Sequence, residues 1–175
     1  NVAPAITAFT SDAVECGAKR EGDTVHVTGS FIDVGTQDTH SATIDWGDNT
    51  TTVASIVEAG GAGTIAGEHI YSSGGIFRIV VTLTDDDTGE TTARTFALIT
   101  GVGIWGGQLQ AVGTEQADEI TVNRVGHGPL VVHSTFIAES PRQFAADGVT
   151  SIAMILCGGD DRGTIAATID LPAYT

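Results

Sequence analysis

A chain of 175 residues is long enough for one large domain or two small ones. Seven Lys and Arg against 22 Asp and Glu give a formal charge of −15, which repels phosphate backbones and anionic headgroups and so excludes nucleic acid and membrane surfaces as partners. No apolar run reaches the roughly 18 residues of a membrane-spanning helix, so no membrane insertion is expected of this segment.

Most of the carboxylates serve solubility, but where they cluster they can become ligands for a hard cation such as Ca²⁺. The 23 glycines and the many threonines fit short strands and tight turns, and the fold class expected is all-β. The chain opens at Asn1 with neither a Met nor a charged-then-apolar leader and is read as a processed or excised piece.

In chain order, period-two alternation between Gly, Asp, Asn and Ser clusters predicts strands near Ala5 to Phe9, Thr24 to Ile32, Ser41 to Trp46, Thr51 to Val57, Thr64 to Tyr71, Ile76 to Thr84 and Thr91 to Ile99. Seven short strands in the first hundred residues predict a sandwich. Successive side chains point to opposite faces, so Val25, Val27 and Phe31, then Ala42, Ile44 and Trp46, then Phe77, Ile79, Val81 and Leu83 are the predicted core. Gly47-Asp48-Asn49 and Asp86-Asp87-Thr88-Gly89 supply hairpin turns. Asn49-Thr50-Thr51 fits a glycosylation sequon at the first of these.

After Thr100 the glycine-punctuated run Gly101 to Gly107 is expected to break any regular strand, which sets a boundary between residues 1–100 and a small β-rich module of residues 101–175. Trp105, in that run, is expected to pack between the two. Strands follow near Leu109 to Val112, Glu119 to Asn123, Leu130 to Ser134, Val149 to Leu156 and Thr164 to Ile169. So small a module is poorly able to form a core alone.

Chemistry-bearing patterns are sparse. The sequence contains no HExxH, G-x-S-x-G or Gly-rich phosphate loop, and the five histidines, His26, His40, His69, His127 and His133, are isolated, so no catalytic residue is assigned and the protein is expected not to be an enzyme. His69 is assigned a structural role before Tyr71. Cys16 and Cys157 match no zinc spacing; they could pair, one in each module, or remain two thiols.

Residues 1 to about 100 resemble a PKD domain, an immunoglobulin-like module of large surface proteins and secreted hydrolases. The resemblance rests on Ile44-Asp45-Trp46-Gly47-Asp48-Asn49-Thr50, on His69-x-Tyr71 and on the block from Gly75 through Phe77, Ile79, Val81 and Leu83 to Asp85, with Asn1-Val2-Ala3-Pro4 similar to the family's linkers. It implies an immunoglobulin-like sandwich and, by analogy with calcium-binding members, Ca²⁺ ligands at Asn1, Asp33 and Asp85 with Asp38 as a looser candidate. The alternative for Asp33 and Asp85 is that they cap turns through backbone N–H groups. Asn49 stands where the family usually has Gly, a substitution Asn accepts in the left-handed conformation.

Further on, Gly113 to Val122 and Gly158 to Ile165 resemble degenerate turns of the Gly- and Asp-rich repeats in calcium-binding β-rolls. This implies a second set of metal ligands at Asp118, Asp160 and Asp161, against the alternative of two acidic turns. The function these resemblances imply is that of an extracellular or cell-surface structural or adhesive module. Its partners would be neighbouring domains of the same longer chain, other copies of itself, or surface polysaccharide. A subunit of an extracellular filament or surface layer assembled by strand or domain pairing, and an accessory binding domain of a secreted hydrolase, are the alternatives.

Overall fold

In the computed structural model, which describes residues 2–167 and 169–174, all regular structure is β and no helix occurs among the described residues. The strands are β1 (Ala5–Ser11), β2 (Lys19–Arg20), β3 (Thr24–Ile32), β4 (His40–Asp45), β5 (Thr51–Val53), β6 (Ser55–Ala59), β7 (Ala62–Ile70), β8 (Gly75–Asp85) and β9 (Glu90–Trp105). After them come β10 (Gln108–Val112), β11 (Glu119–Arg124), β12 (Leu130–Ser134), β13 (Arg142–Phe144), β14 (Ser151–Ile155), β15 (Arg162–Ile165) and β16 (Ala173–Tyr174).

The chain divides into two compact units, but not by one cut near residue 100. The first holds the chain up to Glu15 with Asp23–Tyr71 and Phe77–Ala97; the second holds Cys16–Gly22, Ser72–Ile76 and the chain from Leu98 onward.

The first unit is an immunoglobulin-like sandwich. One sheet has the order β1-β3-β7-β6 and the other runs from β9 through β8 and β4 to β5, the arrangement of the A-B-E-D and G-F-C strands of that fold. The predicted core is the observed one: Val25, Val27, Phe31, Ala42, Ile44, Trp46, Phe77, Ile79, Val81 and Leu83 are all buried. At one corner the Tyr71 hydroxyl donates to the Trp46 carbonyl at 2.8 Å, and His69 stacks on Trp46 while its Nε2 meets Asp48 Oδ2 at 2.7 Å. Asn49 takes a left-handed φ of 70° in the adjacent turn. The strand expected over Thr51 to Val57 is instead two, because buried Ala54 ends β5 on β4 and the chain crosses to the other sheet as β6.

The run from Gly101 to Trp105 does not break the strand, contrary to expectation: β9 continues through it. Its glycines serve close approach, since a Cβ on Gly103 would lie 2.5 Å from the Gly74 carbonyl oxygen and one on Gly101 would lie 2.9 Å from Glu21 Oε2. Inside the second unit the Trp105 indole N–H donates to the Gly74 carbonyl at 3.1 Å.

Within the second unit β10 and β14 pair in parallel, and so do β11 and β15. A single offset of 43 residues relates both pairings. The segment β10-turn-β11 is therefore one rung of a ladder and β14-turn-β15 the next, with the β12-β13 hairpin inserted between them. Leu109, Ile120, Val122, Leu130, Val132, Ile152 and Met154 fill the core between the two sheets of this unit. The Cys16–Cys157 disulfide is formed, with Cα atoms 6.0 Å apart. Both cysteines belong to the second unit, so the bond staples that unit and does not bridge two modules as the sequence suggested.

Candidate metal centre

Three of the four residues predicted to ligate calcium in the first unit come together. Asp33 follows β3, Asp38 lies in the loop leading to β4, and Asp85 ends β8; one carboxylate oxygen of each lies within 4.8 Å of the others. The pairing of His40 with Asp85 brings the β3-β4 loop to the β8-β9 turn, and the Thr39 N–H donates to Asp86 Oδ1 at 3.1 Å. Asn1 lies outside the described residues, but the pairing of Ala5 with Ile32 brings the segment before β1 to this same end of the sandwich.

Asp33 and Asp85 both cap turns through backbone N–H groups and both also belong to the carboxylate cluster. Asp33 Oδ1 accepts the Gly35 N–H at 2.8 Å and Asp85 Oδ1 accepts the Gly89 N–H at 2.7 Å, so each caps a turn while its carboxylate takes part in the cluster. Asp38 differs, because no donor among the described residues is hydrogen-bonded to its carboxylate. It packs over Gly35, where any Cβ would collide with it.

A buried clamp that the sequence did not disclose backs the cluster. His40 Nε2 lies 2.9 Å from Asp33 Oδ2 and its Nδ1 lies 2.6 Å from Glu58 Oε2; the His40 and Asp33 side chains are 1% and 0% exposed. With a carboxylate on each ring nitrogen, the imidazole donates from both and is held as the cation. Burial works against that charge, but the hydrogen bonds to Asp33 and Glu58 and the charges of both carboxylates outweigh it, and the His40 pKa is raised. The Gly35 N–H first and then His40 hold the Asp33 pKa below its ordinary value. Burial, then the charges of Asp33, Asp86, Asp87 and Asp85, push Asp38 up.

The donor set fits a hard divalent cation. Carboxylate oxygens from two loops converge, that of Asp38 has no donor among the described residues, and burial together with mutual repulsion disfavours its charged form. Ca²⁺ takes six to eight oxygens at roughly 2.3–2.6 Å, so further oxygens from backbone, linker or water would complete the shell.

The clamp gives a pH prediction. His40, with its folded pKa raised above 6.5, contributes stability that is complete below 6.5 and lost as pH rises through the folded value. Asp33, with its folded pKa lowered below 3.8, contributes stability present above 3.8 and lost as pH falls through the folded value. In chelator-treated protein the melting temperature of the first unit should therefore fall as pH is raised above 6.5, and His40→Gln should flatten that fall. An equal slope in the variant would refute the clamp.

The second predicted set does not converge in the same way. Asp118 is buried at 3% exposure, and its carboxylate is engaged by the Thr114 N–H at 2.6 Å and the Thr114 hydroxyl at 3.1–3.2 Å. Asp161 lies one rung away and its Oδ1 accepts the Asp118 N–H at 2.9 Å, while Asp160 is exposed. Asp118 and Asp161 thus meet as successive members of one ladder and satisfy backbone donors. Among the described residues, the groups of three or more possible metal-ligating side chains include the Asp33 cluster and not this one.

No family model matches the chain. No curated protein matches it either. Among solved structures it is similar to the PKD1 domain of Vibrio anguillarum Epp, at 20% identity and a TM-score of 0.40, over 57% of this chain and 95% of that one.

Proposed function

We propose that the protein is a non-catalytic structural or adhesive module of an extracellular or cell-surface protein, and that Asp33, Asp38 and Asp85 bind Ca²⁺ at one end of its sandwich. The observation that carries this reading is the convergence of the three carboxylates within 4.8 Å, with Asp38 unclaimed by any described donor. The formed disulfide suits an oxidising compartment. An ion here would tie the segment before β1 to the β3-β4 loop and the β8-β9 turn, which stiffens that end of the module and suits a part that spaces or joins neighbouring domains.

Calorimetric titration of chelator-stripped protein tests it. Saturable heat is expected on adding Ca²⁺, with stabilisation of about 2.7 kcal/mol at a hundred times the dissociation constant. Asp38→Asn and Asp85→Ala should remove both effects. No heat and no rise in melting temperature at millimolar Ca²⁺ would overturn the calcium reading.

A further inference from the structure

Cys16 and Cys157 have a third neighbour. Glu115 stands in the turn between β10 and β11, and one of its carboxylate oxygens and the two sulfurs all lie within 4.8 Å of one another. The carboxylate lies over Gly158, where a Cβ would come 2.6 Å from Glu115 Oε2, and a Cβ on Gly17 would come 3.6 Å from the Glu115 nitrogen. Each cysteine is thus followed by a residue with no side chain, and Glu115 takes the space. No donor among the described residues is hydrogen-bonded to its carboxylate. Its backbone is held on both sides, since the Thr114 N–H donates to Asp118 Oδ2 at 2.6 Å and the Gln116 N–H to the Thr114 hydroxyl at 3.1 Å. The cysteines stand 141 residues apart and carry no zinc spacing in sequence, so only folding brings this donor set together.

As a disulfide the sulfurs offer a cation no thiolate. Two-electron reduction by a thiol reductant breaks the S–S bond, leaves two Cys thiols and oxidises two reductant thiols to their own disulfide. A borderline-soft divalent ion then displaces one proton from each Cys thiol and takes two thiolates and the Glu115 carboxylate as ligands, with water in the fourth position. Zn–S bonds of about 2.3 Å at a tetrahedral centre put the sulfurs roughly 3.8 Å apart, which side-chain rotation reaches from Cα atoms 6.0 Å apart. The segment bearing Cys16 keeps other anchors after reduction: Lys19 and Arg20 pair with Ile99 and Thr100, and Glu21 pairs with Arg142 at 2.6 Å. Neither cysteine is fully buried, so reductant and ion both have access.

We propose that Cys16, Cys157 and Glu115 form a redox-gated site for Zn²⁺ or a similar borderline-soft divalent cation. The disulfide closes the second unit when oxidised, and a metal bridge replaces it when reduced. The same two distant segments of chain stay joined in either state. In a thiol-reducing compartment, where disulfides do not persist, the metal is the staple. The site lies in the second unit and depends neither on the calcium reading nor on the module's partner.

The intact chain, reduced with a phosphine in the absence of air and stripped of metal, is titrated with Co²⁺ and then Zn²⁺ in excess Ca²⁺, which occupies hard-oxygen sites. One Co²⁺ per chain should bind with a thiolate-to-metal charge-transfer band and the visible bands of a tetrahedral centre. Zn²⁺ should displace it and restore part of the melting temperature that reduction removes, and the oxidised protein should show no band. Glu115→Gln should weaken Zn²⁺ binding by at least the roughly tenfold that losing even an outer partner of a ligand costs, and leave the melting temperature of the reduced, metal-free protein unchanged. No band in excess Co²⁺, an unchanged affinity in Glu115→Gln, or one ion per two chains would each overturn the proposal, the last by showing that the thiols meet between molecules. If reduction unfolds the second unit, amide protection in β10 and β14 gives the same reading: recovery on adding Zn²⁺ supports the bridge, and no recovery overturns it.

Discussion

Reducing the Cys16–Cys157 disulfide should destabilise the second unit by about 4–5 kcal/mol, the loop-closure value for a cross-link over so long a stretch of chain. The cysteines are 141 residues apart in sequence, yet both belong to the second unit. Cys16 opens the short segment Cys16–Gly22, whose Lys19 and Arg20 pair in parallel with Ile99 and Thr100 and whose Glu21 makes a two-pronged ion pair with Arg142 at 2.6 and 2.8 Å. That largely buried, bidentate ion pair is of the stronger kind, whereas a two-residue strand is a weak anchor. Fixing the segment therefore falls to the covalent bond together with the ion pair. Denaturant unfolding with and without reductant, read by amide protection in β10, β14 and the Cys16–Gly22 segment, measures the effect. A loss under 1 kcal/mol would mean that packing alone holds the segment.

Asp118→Ala should cost about 2–4 kcal/mol in the second unit, by the same amount with and without Ca²⁺. The substitution strips buried Thr114 of the acceptor for both its N–H and its hydroxyl, and an unsatisfied buried donor costs about 1–3 kcal/mol. Asp160→Ala, at an exposed position, should change little. Melting curves of both variants in chelator and in millimolar Ca²⁺ separate the roles: a calcium-dependent loss at Asp118 would restore it as a metal ligand, whereas an equal loss in both conditions marks a residue that caps its turn.

The first unit was legible because its core residues recur at period two within single strands, as in Ile44-Asp45-Trp46 and Phe77 to Leu83, where burial follows alternation directly. The crossing at Ala54 was not, because β-branched residues run up to Val53 and resume at Ile56, and a lone Ser55 between them is too weak a turn signal. Gly101 and Gly103 misled for a related reason. Glycine marks either a turn or a close backbone approach, and the partner that decides, Gly74, is distant in sequence.

Asp33, Asp38 and Asp85 come together because Asp33 follows β3, Asp85 ends β8 and Asp38 lies in the short loop that joins β3 to β4, strands whose register is fixed. His40 and Glu58 were missed because their contact depends on β6 crossing to the other sheet, which leaves no spacing signal. The two acidic turns were singled out separately, but their stacking was hidden by the inserted β12-β13 hairpin, which stretches the repeat to 43 residues.

A crystal structure of the protein grown with Ca²⁺, with anomalous scattering collected to locate the ion, tests the account most directly. The account predicts one strong peak at roughly 2.3–2.6 Å from oxygens of Asp33, Asp38 and Asp85, with the His40 bridge to Asp33 and Glu58 kept behind it. A map without a peak there, with the Asp38 carboxylate turned out to solvent, would contradict it.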